Sequence, residues 1–523
     1  MQSFGSGSST NPIRNMQTTP SDTDATFSFS EAELSELSPT EAALLCPQTS
    51  EDLKDLRPLL EERSFVHLED AILTMRDYQK EGIDRLINSK RIGLFDEMGL
   101  GKTPQTILSL RRSKVRSCMV ICPSRVIRVW EDEVAKWWPQ AKCYVSEGPE
   151  RSAAAGRKRF LAGATSGKEE CSFLITTYTS AQKVKMRGWQ AIVFDEAHKL
   201  TNRKTQLFRW AARQESDFLF LLTGTPSRKS AEQLWNYLHL IDPDKFRSFW
   251  KWTKTYLHIM KGQFGTEILG PKDPEVFRAH LAPYFIQRLK NDVRKDLPEK
   301  LPPQKVVVEV DSRVAKLYDQ LVEELIAEHE SGVLLLPNRL ALTTRLRQLT
   351  ICPKVLGFDL PSSLIETTTD IAEEAYHIGD SSVIFVPFKD VIPEIEGSLR
   401  ARGIPSYSIH GGMKRKDTDE VLQRFQNCSG PAALIATTSL GVGWSATKAN
   451  VNIFCGLDWD RINCLQSEDR THRHGQTKVV STYYVMSNLP IDRSQLDALN
   501  MKHRVNNIIF NPKQLLRSDR KAK

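Results

Sequence analysis

Short, mostly apolar runs separated by one-sided amphipathic stretches dominate the middle of the chain. The runs fall at residues 92–95, 118–122, 173–176, 191–194 and 218–222, and a second series falls at 383–386, 406–409, 433–436, 452–455 and 482–485. Between them the apolar positions take a helical period, as with Ile83, Leu86 and Ile87, or Val126, Trp130, Val134 and Trp137. Strands that are apolar at nearly every position must be covered on both faces, so the alternation predicts parallel α/β sheets flanked by helices. Two series predict two such units. From about 230 to 290 the rhythm breaks: Trp235, Trp250, Trp252, Tyr256 and Phe264 stand among lysines, and this stretch reads as a helical insertion. Residues 296–304 are proline-rich and read as a linker, and 315–349 as helix again.

The chain therefore divides into an acidic, largely disordered N-terminal region (1–70), a first lobe (71–245), helical protrusions and linker (246–360), a second lobe (361–490) and a C-terminal tail or brace (491–523). Charge sharpens this division. Residues 1–70 carry thirteen Asp/Glu against four Lys/Arg, a net of −9, which leaves +17 on the rest of a chain whose total is +8. A body that basic suits a polyanionic partner. The apolar runs are far shorter than the ~18 residues of a membrane span, and no charged-then-apolar leader opens the sequence. The nine cysteines are scattered without a C-x-x-C pair, which suits reduced thiols. An intracellular, non-membrane protein is expected, with nucleus and bacterial or viral-host cytoplasm both open.

Three patterns carry chemistry. The first follows the run 92–95: Asp96, Glu97, Met98, Gly99, Leu100, Gly101, Lys102 and Thr103, then a helical stretch. Strand, glycine-rich turn and helix form the context of a phosphate-binding loop. Gly99 and Gly101 let backbone N–H groups approach a polyphosphate, Lys102 supplies a point charge to it, and the Thr103 hydroxyl suits Mg²⁺. The usual pattern has glycine where Asp96 stands. The second pattern is the strand 191–194 ending in Asp195 and Glu196, with Ala197 and His198 following. One carboxylate suits Mg²⁺ and the other an attacking water, at the strand end where ligands of parallel sheets bind. The third is a basic segment with Arg470 and Arg473, three apart and so expected on one helix face. Such guanidinium groups stabilise phosphoryl-transfer charge. Cys455, Cys464, His472 and His474 fit no standard zinc spacing.

In this order the motifs resemble the Swi/Snf-type ATPase branch of helicase superfamily two, over about residues 75–490. Arg76, Asp77, Tyr78 and Gln79 resemble the branch's adenine-recognising entry; Asp96 to Thr103 resembles its own form of the phosphate loop, Asp96 included; residues 287–293, followed by Leu297 and Pro298, resemble its linker. Departures include Arg228 and Lys229 after the Gly-Thr-Pro turn, Leu440 and Ser445 for Gly and Asn, Thr418 for Arg, and Asp460 for Asn. The resemblance implies two tandem RecA-like lobes with helical insertions. It implies ATP and Mg²⁺ as cofactors, with Gln79 on the base, the 96–103 loop on the phosphates, Thr103 and Asp195 on the metal, and Glu196, Arg470 and Arg473 as catalytic groups. It also implies backbone contacts to duplex DNA from Ser124, Arg125, Thr177, Thr179, Thr437 and Thr438, with replication, repair or transcription proteins as further partners. The expected activity is an ATP-dependent translocase on double-stranded DNA. The alternatives are a strand-separating DNA or RNA helicase and a non-catalytic DNA-binding scaffold.

Overall fold

The computed structural model describes residues 65–166, 169–227, 230–262, 265–330, 336–440, 444–458 and 461–493. The expected disordered tail and C-terminal brace lie almost wholly outside these residues, as do Phe264, Arg228, Lys229 and Asp460.

Five of the strands in the first sheet arise from the apolar runs: β1 (Arg91–Leu94), β2 (Ser117–Cys122), β4 (Ser172–Thr177), β5 (Trp189–Asp195) and β6 (Ser216–Leu222). β3 (Lys142–Ser146) has no continuous apolar run because it is an edge strand, and its first residue is exposed. After the antiparallel hairpin β7 (Leu257–Gly262) and β8 (Gly265–Pro271), the short β9 (Phe285–Ile286) returns to the first sheet beside β1. That sheet is seven-stranded and parallel in the order β3-β4-β2-β5-β6-β1-β9. The second sheet holds β10 (Gln304–Val308), β11 (Ser381–Val386), β12 (Ser406–Ile409), β13 (Ala433–Thr437), β14 (Ala449–Cys455) and β15 (Ser481–Ser487). It is six-stranded and parallel in the order β10-β15-β14-β11-β13-β12.

Along β11 successive side chains enter opposite cores. Val383 and Phe385 pack with Leu434, Phe425 and Trp444, while Ile384 and Val386 pack with Ile435, Ile453 and Leu399. Period-two alternation with both faces buried is why the run reads as unbroken hydrophobicity. The first sheet buries Phe95, Phe194, Leu221 and Tyr237 in one cluster under the aromatic insertion. Residues 230–290 were expected to be a helical insertion, but they also hold a β-hairpin. Helices Leu234–Ile241, Phe249–Tyr256 and Pro274–Leu281 frame the β7–β8 hairpin. Leu257 at its base is fully buried, so packing overrides the weak strand pattern. Residues 287–303 pass from the edge of one sheet to the edge of the other, fixed by β9 and β10 at either end.

Candidate active site between the lobes

Gly99 and Gly101 both have positive φ, +81° and +74°, conformations that strain any residue with a Cβ. At Gly101 the side-chain space is taken: a Cβ would come 2.3 Å from Gln79 Nε2. Gln79 accepts from the Arg76 N–H (3.0 Å) and donates to the Leu100 carbonyl (3.3 Å), so it lies against the loop. Lys102 opens the helix Lys102–Arg112, and its Nζ donates to the carbonyls of Asp96 (2.8 Å) and Glu97 (3.3 Å). Thr103 is half-buried one residue on. Leu100 is buried, and Met98 packs over Gly224, where a Cβ would meet its Cγ at 2.8 Å.

The Asp96 carboxylate does not stand open for a phosphate. It is fully buried and accepts from Arg288 Nε (3.0 Å) and Nη2 (2.7 Å) and from Gln105 Nε2 (3.3 Å). Arg288 also donates to the Tyr78 carbonyl and to Gln105 Oε1, and lies over the Tyr78 ring. The residue that breaks the usual glycine pattern thus anchors the linker. A buried carboxylate needs such a partner, and this was the signal in the sequence.

β5 delivers the two carboxylates. Asp195 Oδ2 accepts from Trp130 Nε1 (2.9 Å), and Oδ1 accepts from the Glu196 N–H (2.9 Å). Glu196 sits at φ +55°, one of three non-glycine residues in that region among the described residues, the kind of local strain that clusters at working sites. Burial and the neighbouring Glu196 charge raise the Asp195 pKa to about 6. Burial works against ionisation of Glu196 too, but His198, Lys102 and Arg470 outweigh it and hold its pKa low. His198 Nδ1 lies 3.0 Å from Glu196 Oε2 and 3.3 Å from Thr223 Oγ1, which links the carboxylate to the Gly-Thr-Pro turn.

The second lobe reaches this pair. Gln466 Nε2 is 3.4 Å from Glu196 Oε1. The spacing suggested that Arg470 and Arg473 share a helix face, but the helix Arg461–Glu468 has ended and both lie in the turn after it. Arg470 Nε donates to the Gln466 carbonyl (3.0 Å) and Nη1 to the Trp444 carbonyl (2.9 Å), with its guanidinium over the Trp444 ring. Arg473 Nε donates to the Asp469 carbonyl (2.9 Å), and its Cγ would lie 3.9 Å from a Cβ on Gly99. Burial lowers the pKa of both arginines, and the Glu196 charge opposes that shift.

The six residues expected at DNA separate into two groups. Ser124 and Thr179 are exposed, and Arg125 and Thr177 half-buried, at the ends of β2 and β4. The Ser124 hydroxyl lies on Glu147, and Arg125 Nη2 donates to the Gly411 carbonyl of the second lobe (3.3 Å). Thr437 and Thr438 are buried, with the Thr438 hydroxyl on the Asp458 carboxylate.

An SNF2-related domain matches residues 78–354 and a helicase conserved C-terminal domain matches 364–475. The chain belongs to the SNF2-related family. The two matched regions lie over the two parallel sheets, which stand as the tandem lobes expected of the chain. This SNF2-related chain is 27% identical over 439 residues to an uncharacterized ATP-dependent helicase of Mycoplasma pneumoniae, covering 80% of this chain and 41% of that one. It is 27% identical over 479 residues to the human SWI/SNF-related matrix-associated actin-dependent regulator of chromatin subfamily A member 1, covering 84% and 44%. The SNF2-related chain therefore spans less than half the length of these relatives. Among solved structures, the Sulfolobus solfataricus SWI2/SNF2 ATPase core in complex with dsDNA is 24% identical, covers 84% of this chain and 93% of that one, and has a TM-score of 0.38. Among the described residues, no helix is long and apolar enough to cross a membrane.

Proposed function

We propose that the chain is an ATP-dependent translocase on double-stranded DNA that couples hydrolysis to remodelling of DNA or of DNA–protein complexes. The observation that carries this reading is the convergence across the cleft: Gln466 lies on Glu196, while Arg473 lies beside Gly99. The nucleotide site is built from both lobes, so each cycle of binding and hydrolysis biases their closure.

In this mechanism Gln79 and the loop from Asp96 to Thr103 hold ATP, and Lys102 leaves the Asp96 and Glu97 carbonyls for the phosphates. Glu196, ionised and held by His198, orients and deprotonates the attacking water. Arg470 and Arg473 stabilise the charge that spreads over the transferred phosphoryl group, an effect of about 10³–10⁵ in rate in related systems. Two adjacent half-buried carboxylates, one with its pKa raised by desolvation and by the other's charge, form a donor set that suits a divalent cation. Thr103 and Asp195 would hold Mg²⁺, which when bound neutralises charge on the phosphate oxygens.

DNA would run along the cleft beside Ser124, Arg125, Thr177 and Thr179. A cavity of about 480 Å³ there is lined by Arg125, Arg128 and Arg415, but also by Glu131, Glu147 and Asp419. Backbone phosphates would have to displace these carboxylates, so affinity should fall steeply with salt and ignore sequence. Buried Thr437 and Thr438 would contact the strand only after the second lobe rearranges. A role in replication, repair or recombination follows by analogy with the family. The test is ATPase rate with no nucleic acid, single-stranded DNA, duplex DNA and RNA side by side. Duplex DNA should stimulate most, and stimulation by RNA alone would overturn the reading.

A further inference from the structure

We propose that Lys290, in the linker between the sheets, is a positioning residue that couples the phosphate loop to the arginine-bearing turn. The proposal rests on the ATPase reading above. Lys290 is 3% exposed and touches both sides of the cleft. Its backbone N–H donates to Glu97 Oε2 in the loop (2.7 Å). Its Nζ donates to Asp469 Oδ1 and to the His472 carbonyl, each at 2.9 Å. Asp469 uses its own carbonyl to accept from Arg473 Nε (2.9 Å). A Cβ on Gly99 would lie 3.4 Å from Lys290 Cε and 3.9 Å from Arg473 Cγ, so loop, linker and arginine turn are in direct register.

Two neighbours strengthen the connection. Arg288 grips the same loop one residue earlier, through Asp96. Lys300 holds the turn from its other side, 2.9 Å from Glu468 and 3.6 Å from Asp469. A buried ammonium is costly: methionine would fill similar volume without desolvating a charge. A lysine here fixes register, because its donors on Asp469 and His472 are met only when the turn sits at one height against the loop. A displacement of about 1 Å in reacting groups costs on the order of 10²-fold in rate.

The experiment compares Lys290→Met and Glu97→Ala with wild type, reading fluorescent-ATP affinity, duplex-stimulated kcat and thermal midpoint. Glu97→Ala detaches the loop without stranding a buried cation, so it remains informative if Lys290→Met does not fold. Lys290→Met should bind ATP within about threefold of wild type, and both variants should lose about 10–100-fold in kcat. Adding Arg473→Ala to Glu97→Ala should cost no more than Arg473→Ala alone, because both changes act on one arrangement. Wild-type kcat in the folded variants, or losses that multiply with Arg473→Ala, would overturn the proposal. A wild-type protein with no ATPase activity would instead overturn the reading on which it rests.

Discussion

Restoring the usual glycine to the phosphate loop should damage this protein. Asp96→Gly would make the loop a literal match to the common pattern, yet it removes the carboxylate that pairs with Arg288 at 2.7 and 3.0 Å. The Arg288 side chain is 12% exposed and would stay buried. Stripping one partner from a buried pair costs about 3–5 kcal/mol. Arg288 keeps Gln105 Oε1 at 2.8 Å, the Tyr78 carbonyl and the Tyr78 ring, which places the loss at the lower end. The new glycine adds roughly 0.5–1 kcal/mol of chain entropy. A total of about 3–4 kcal/mol, with a urea slope of about 3 kcal/mol per M, moves the first-lobe unfolding midpoint down by roughly 1 M. Intrinsic tryptophan fluorescence reports it, since Trp130, Trp210 and Trp235 are buried in that lobe. Asp96→Asn, which keeps one acceptor, should lose about half as much. An Asp96→Gly protein with an unchanged midpoint and wild-type ATP affinity would refute the anchoring role.

Three further outcomes are expected. Glu196→Gln should bind ATP normally and lose at least about 100-fold in kcat, and a variant that hydrolyses like wild type would remove Glu196 from the mechanism. Trp130→Phe keeps most of the volume but deletes the 2.9 Å donor to Asp195; losing a hydrogen bond to a charged group, worth about 1.5–3 kcal/mol, should lower kcat/KM for Mg–ATP roughly tenfold or more, while unchanged kinetics would show the contact to be idle. The third concerns pH. Burial lowers the His472 pKa, Nε2 donates to the Pro298 carbonyl at 2.9 Å, and Nδ1 is buried without a hydrogen-bond partner. The unfolded chain binds this proton more readily than the folded one, so stability is full above about pH 6.5 and falls as pH drops below it. His472→Gln keeps a donor but cannot titrate, so the difference in midpoint between pH 7.5 and 5.5 should shrink; an identical difference would exclude His472 as its source.

The fold was legible wherever burial was symmetrical. Strands such as β5 and β11, covered on both faces, show as unbroken apolar runs, and these runs fall inside the observed strands. β3 and β9 were not legible because an edge strand of mixed polarity and a two-residue strand leave no period to read. The hairpin at 257–271 was hidden among aromatic residues that suit either element. Within the site, the placement of Lys102 at a helix start and of Asp195 and Glu196 at the end of β5 could be read, because an apolar run precedes each. The geometry of Arg470 and Arg473 could not, since a spacing of three holds equally in a helix and in the turn that ends one. The ties from Arg288 to Asp96 and from Lys290 to Asp469 span 192 and 179 residues. Only Asp96, a charge where the common pattern has glycine, hinted at the first of them.

Translocation here means motion along duplex DNA without strand separation. Its most direct measurement is displacement of a triplex-forming third strand from a duplex track, with a forked duplex assayed in parallel. The expected result is ATP-dependent release of the third strand, abolished in Glu196→Gln, with the forked duplex left paired. Release of a single strand from the fork, or robust duplex-stimulated hydrolysis with no displacement of the third strand, would contradict it.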